Sequence, residues 1–179
     1  MRNAAPAVAT MTLVEYRKLV EQVMLDVRSG RAGLARAFSN SGEDHARIVL
    51  DTMIDNAQSE ICVYSERMHT AVFDSARLRA FLDRAPTATI RVVLESDAVG
   101  DADCALTPLK DQIDAGRIQV VTMKLGTVRH VAVVDGQHIR LEQDHAARKA
   151  VVAFGMPSLA EASLKLFGLF WPIVLDAVG

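Results

Sequence analysis

VRHVAVVDG, residues 128–136, joins a β-branched run to the dipeptide Asp135-Gly136. Val131 to Val134 has the residue types of a strand, and Asp-Gly is the pair favoured in a two-residue hairpin whose central residues both take positive φ. The chain should therefore turn back at once, with Ile139-Arg140-Leu141 opening the return strand and Ala150 to Phe154 supplying another. Upstream, Glu60 to Tyr64, Thr89 to Leu94 and Ile118 to Met123 are further short apolar runs. Helical patterns separate them: one carries Leu78, Phe81 and Leu82, and one runs from Leu106 to Ala115 and stops at Gly116. A final helix opens near Ser158, with Leu159, Ala162, Leu166, Phe167 and Phe170 on one side. Strands alternating with helices, then a late hairpin and a covering helix, specify an α/β fold: a mixed sheet flanked by helices.

The N-terminal part reads differently. Residues 1–10 form a polar and small-residue arm, and Thr12-Leu13-Val14-Glu15 is a capping box that should open a helix. Leu13, Tyr16, Val20, Val23 and Val27 give this helix one apolar stripe, and it should end near Ser29-Gly30. The stretch 29–42 holds Gly30, Gly33 and Gly42 with several arginines, and reads as a connection around a short turn at Leu34 to Phe38. A second helix follows Ser41, with Ile48, Val49, Thr52 and Met53 on its buried face. Two units result: an N-terminal arm, helix and linker over 1–42, and an α/β domain over 43–179.

Composition bounds the function. The chain has 179 residues, half of them hydrophobic, with 20 Lys plus Arg against 22 Asp plus Glu and a formal charge of −2. That is enough apolar surface for a core, and it excludes a disordered chain. Near-neutral charge argues against a broad electrostatic footprint for nucleic acid. Cys62 and Cys104 cannot define a disulfide framework. Leu166 to Leu175, the longest apolar run, falls far short of the roughly 20 residues that span a bilayer. No secretory h-region opens the chain, so a cytoplasmic protein without membrane partners is expected.

From about Glu43 onward the sequence resembles one half of the phospholipase D superfamily. DTMIDNAQSEICVY, residues 51–64, resembles the helix leading into the family's first strand; VRHVAVVDG resembles its signature strand. KAVVAFGMPSLAEASLKLFGLFW, residues 149–171, resembles the later strand and terminal helix. The family signature is His-x-Lys-x-x-x-x-Asp, usually followed by Gly. Anchored on Asp135-Gly136, it puts Val128 at the nucleophilic histidine and His130 at the lysine. The family attacks phosphorus with one histidine and protonates the leaving group with another, and Val128 can do neither. Nor can His130 stand in directly, because positions 128 and 130 lie about 6.6 Å apart along a strand, whereas reacting atoms approach to about 3–3.5 Å.

The resemblance implies a homodimer, since members with one signature pair their motifs across a twofold axis. His130, Asp135 and Glu142 are the candidate catalytic positions, and His130, Arg148, Lys149, Glu66 and Arg67 the candidate phosphate or ligand contacts. Trp171, Ile173 and Phe170 are the candidate interface. Each has a plainer reading beside it: His130 as a half-buried histidine bonded to a carbonyl, and Glu66, Arg67, Glu95, Asp97 and Lys124 as solvated strand ends. Ser65 and Ser96 have no neighbouring histidine in sequence to support hydrolase chemistry. His130, His138 and His145 lie across a hairpin without metal-ligand spacing, so neither a metal nor another cofactor is expected.

The reading favoured by these residues is a catalytically degenerate phospholipase D-like domain serving as a dimeric assembly, regulatory or binding module, whose N-terminal helix packs either across the sheet domain or across a partner chain. One alternative is a phosphodiesterase or nuclease with an altered site using His130 across a homodimer. Another is a non-catalytic sensor of phosphate, nucleotide or nucleic acid.

Overall fold

The computed structural model describes residues 11–31, 36–123, 130–145 and 149–165. Helix α1 spans Leu13–Arg28, and both halves of the Thr12/Glu15 capping box form. Strand β1 (Arg36–Ser41) leads to α2 (Glu43–Asn56), β2 (Glu60–Ser65), α3 (Ser75–Arg84) and β3 (Thr89–Leu94). A 3-10 turn at Thr107–Leu109 precedes α4 (Lys110–Asp114), β4 (Ile118–Thr122), β5 (Val131–Val134), β6 (His138–Asp144) and β7 (Lys149–Phe154). Residues 157–165 form α5.

The strands make one seven-stranded sheet in the order β1-β7-β6-β5-β2-β3-β4. Its β2-β3-β4 half is parallel, as helical crossovers require, and its β5-β6-β7-β1 half is antiparallel. Asp135 and Gly136 take φ values of 52° and 62°, the backbone of the expected tight hairpin.

Two apolar layers cover the sheet. On one face Ile61, Val63, Val92 and Val152 meet Tyr16, Val20 and Met24 of α1, Val49 and Met53 of α2, and Leu78 and Phe81 of α3. On the other, Cys62, Val133, Ile139 and Ala153 meet Ala160 and Leu164 of α5. Burial pushes the Cys62 thiol up to about 12, so it is a core residue and not a nucleophile. Helix α1 thus docks on its own chain. A Cβ at Gly155, where φ is 67°, would come within 2.7 Å of Val27 Cγ1, so only glycine lets α1 rest on the end of β7.

Several expectations change. The turn expected at Leu34 to Phe38 gives way to β1, an edge strand paired along its whole length with β7. Its sequence has no β-branched residue, so pairing with β7 overrides local preference. Leu13 is 44 % exposed while Met24 is buried, which rotates the apolar stripe of α1. The helix expected from Leu106 to Ala115 is split, with Pro108 in the 3-10 turn at its start. No helix among the described residues is long and apolar enough to cross a membrane.

Candidate functional site

Strand alternation builds the site. His130 lies just before β5, and its carbonyl accepts from the Glu142 N–H at 2.8 Å, so the two residues are cross-strand neighbours. On the other side Tyr64 pairs with Val131, which brings Ser65 beside His130; Ser65 Oγ lies 3.0 Å from His130 Nδ1. Glu142 in turn faces Ala150, and Ala150 faces Asn40. Ser65, His130, Glu142 and Asn40 therefore form one polar row across the sheet, broken only by an alanine, on the face covered by α1 and α2. Arg140 follows one period-two step from Glu142.

The row opens into a cavity of about 190 Å³ at the carboxyl end of β2, floored by His130, Arg140 and Glu142. Glu66, Arg67 and His145 stand at its wall, and Gly42 opens α2 beside it. Glu142 holds the floor together. Its Oε1 is 2.7 Å from His145 Nδ1 and 4.0 Å from His130 Nε2, and its Oε2 is 3.3 Å from an Arg140 guanidinium nitrogen. The His130 and His145 rings stack at 4.9 Å with only 2° between their planes.

Charge in this cavity is balanced. Burial holds Arg140 below the usual arginine range, while Glu142 works against that shift. Burial likewise lowers His130; Glu142 and Glu66 pull it up, and His145 and Arg140 push it further down. The net direction favours a neutral imidazole. His130 Nε2 and Arg140 Nε are buried and make no hydrogen bond among the described residues. Arg67 is committed to Asp101 and Asp103 at 2.9 and 3.0 Å. No unpaired guanidinium among the described residues therefore points into the cavity.

The remaining candidates scatter. Asp135 sits at the far end of β5, where its carboxylate accepts from the backbone N–H groups of Gln58, Ser59 and Glu60 and from Ser59 Oγ. Lys149 is exposed at the start of β7. Glu95 receives the Tyr64 hydroxyl. Val128, Lys124, Arg148, Phe170, Trp171 and Ile173 lie outside the described residues. Of the three histidines grouped in sequence, His130 and His145 meet; His138 lies beside Asp135, where its Nδ1 accepts from Gly155 N–H at 3.2 Å. Sequence reasoning missed the joint role of Ser65, Arg140 and His145. Period-two spacing from Glu142 would have found Arg140, but Ser65 and His145 are brought in by pairings that no local pattern encodes. Ser65 remains a poor nucleophile, because it is only 2 % exposed and already accepts from Met68 N–H.

Burial lowers His138 as well, and protonation would destroy its acceptor at Nδ1. Unfolding releases both His130 and His138 toward their ordinary value of 6.5, so the unfolded chain binds more protons just below that pH. Stability is expected to be level above 6.5 and to fall as pH drops beneath it. Urea unfolding in EDTA from about pH 8 to about pH 5.5 checks this, with a smaller slope for His138→Gln; stability that does not change over that range contradicts it.

No protein-family model and no curated protein matches the chain. Among solved structures it is similar to TrmBL2, an archaeal chromatin protein described by its mode of DNA binding, at 15% identity and a TM-score of 0.63. That match covers 90% of this chain, which spans 62% of the length of TrmBL2. It is also similar to Nuc from Salmonella typhimurium, a phospholipase D family member, at 21% identity and a TM-score of 0.56, over 76% of this chain and 95% of Nuc. NucT from Helicobacter pylori matches at 8% identity and a TM-score of 0.54, over 79% of this chain and 96% of NucT. The fold is phospholipase D-like.

Proposed function

We propose that this chain is a non-catalytic binding module on a phospholipase D-like fold, whose cavity at His130 takes a small polar ligand. The observation that carries this reading is the Glu142 carboxylate at the cavity floor, ion-paired to Arg140 and hydrogen-bonded to His145. A site that transfers phosphoryl groups needs a nucleophile and surplus positive charge. Here the aligned nucleophile is Val128, the neighbouring histidine is held toward its neutral form, and the buried guanidinium is already neutralised. TrmBL2 supports the reading in kind, since a protein of similar fold is described by binding. The reading retains the homodimer that a single signature implies, with Phe170, Trp171 and Ile173 as its candidate contact.

The test is hydrolysis of bis(p-nitrophenyl) phosphate and of single-stranded DNA by the purified chain in EDTA. Neither substrate should be cleaved faster by the wild type than by His130→Ala. Cleavage by the wild type that His130→Ala abolishes would restore the phosphodiesterase reading.

A further inference from the structure

We infer that Glu66, His130 and His145 bind a divalent transition-metal ion of the zinc type in this cavity; the inference rests on the binding-module reading and names its ligand. One donor atom from each of the three residues lies within 4.8 Å of the others. Two imidazoles and one carboxylate, with water completing the shell, are a set that zinc and its neighbours accept. Calcium and magnesium prefer all-oxygen shells.

The surroundings of the two rings carry the inference further than proximity does. His145 Nδ1 lies 2.7 Å from a Glu142 carboxylate oxygen, which can only accept, so the proton belongs on Nδ1 and the Nε2 lone pair is left over. Ser65 Oγ, which already accepts from Met68 N–H, has a second lone pair for His130 Nδ1–H at 3.0 Å. In that tautomer the Nε2 lone pair is again left over, and His130 Nε2 is buried without a hydrogen bond among the described residues. An outer-shell oxygen on one ring nitrogen with the other nitrogen free is the arrangement by which metal-binding histidines are oriented. As placed the two rings stack face to face with their in-plane lone pairs side by side, so His145 has to turn to aim its Nε2 at an ion held by His130.

Charge agrees. With neutral rings, the carboxylates of Glu43, Glu66 and Glu142 outweigh the guanidinium groups of Arg67 and Arg140 by one negative charge, so a divalent cation is not repelled. Two nitrogens on one tetrahedral zinc sit roughly 3.3 Å apart, given bonds of about 2.0–2.1 Å, so loading draws the donors closer together. His145, with its side chain 49% exposed, and the exposed Glu66 can move; His130 is held by its neighbours.

The full chain, stripped with EDTA and dialysed free of it, is titrated with zinc by calorimetry and with cobalt(II) by visible absorption. One ion per chain is expected, together with the intense absorption of low-coordinate cobalt(II) and a raised melting temperature. His145→Ala and Glu66→Gln, both at exposed positions, should each weaken binding by at least about tenfold, and together abolish it. His138→Gln, at the other end of β6 and away from the cavity, should leave affinity unchanged. No binding by the wild type, or affinity that survives the double variant, overturns the inference. If zinc fails while EDTA-treated protein also cleaves no phosphodiester, the binding-module reading stands with another ligand. Cleavage in EDTA that depends on His130 removes the reading itself.

Discussion

Glu142→Ala is expected to destabilise the protein by about 3–5 kcal/mol, the range for removing one partner of a buried ion pair. Arg140 is only 4 % exposed, and without Glu142 its charge stays in the interior with no anion beside it. Burial already disfavours its charged form, and Glu142 is the main group that offsets this. His145 also loses its Nδ1 partner, and His130 loses the anion 4.0 Å away. Glu142→Gln should cost less, because an amide oxygen can still accept from the guanidinium. The double variant Arg140→Met with Glu142→Leu removes both charges and should recover most of the loss, since apolar replacements of buried pairs are often neutral or stabilising. Its zinc affinity should fall, because His145 loses the carboxylate that orients its ring, which separates folding from function. Urea midpoints for the three variants give the order; a Glu142→Ala midpoint close to wild type would mean the pair is not buried as described.

Asp135→Ala follows, with an expected loss of about 3 kcal/mol from charge-assisted hydrogen bonds left without their acceptor. The carboxylate takes four donors at the start of β2 and so ties the β5–β6 turn to that strand. Alanine would also have to adopt a φ of 52°, a strain of roughly 1 kcal/mol for a side chain with a Cβ. Asp135→Asn tolerates that backbone and should lose less. Burial raises the Asp135 carboxyl, but the N–H groups of Glu60, Ser59 and Gln58 and the Ser59 hydroxyl together outweigh it and hold it below 3.8. Its contribution is therefore complete above that value and is lost as pH falls through the lower, folded one. Ligand affinity should not change, because Asp135 and His130 stand at opposite ends of β5. Thermal unfolding of the variants beside a zinc titration checks both halves of this statement.

These two acids show how far the sequence could be read. Asp135-Gly136 announced the hairpin because so few residue pairs take positive φ twice, and the β-branched runs around it made β2, β3 and β5 legible. Strand β1 was not legible: Arg36–Ser41 is short and polar at its end, and becomes a strand only because β7 offers it an edge. His130 and Glu142 could be singled out from the signature and from strand position. Their meeting with Ser65 and His145 depends on the register of β2, β5 and β6, which no window of sequence contains. The resemblance drew Asp135 toward the chemistry, whereas its hydrogen bonds make it a clamp on the fold. His138 and His145, equal candidates on paper, part company because the hairpin sends them to opposite ends of β6.

The measurement that bears most directly on the central claim is the intact mass of the chain after incubation with an activated phosphodiester, quenched at alkaline pH where phosphohistidine survives. A cavity that binds without attacking phosphorus predicts the unmodified mass. A phosphoryl adduct that maps to His130 would contradict it.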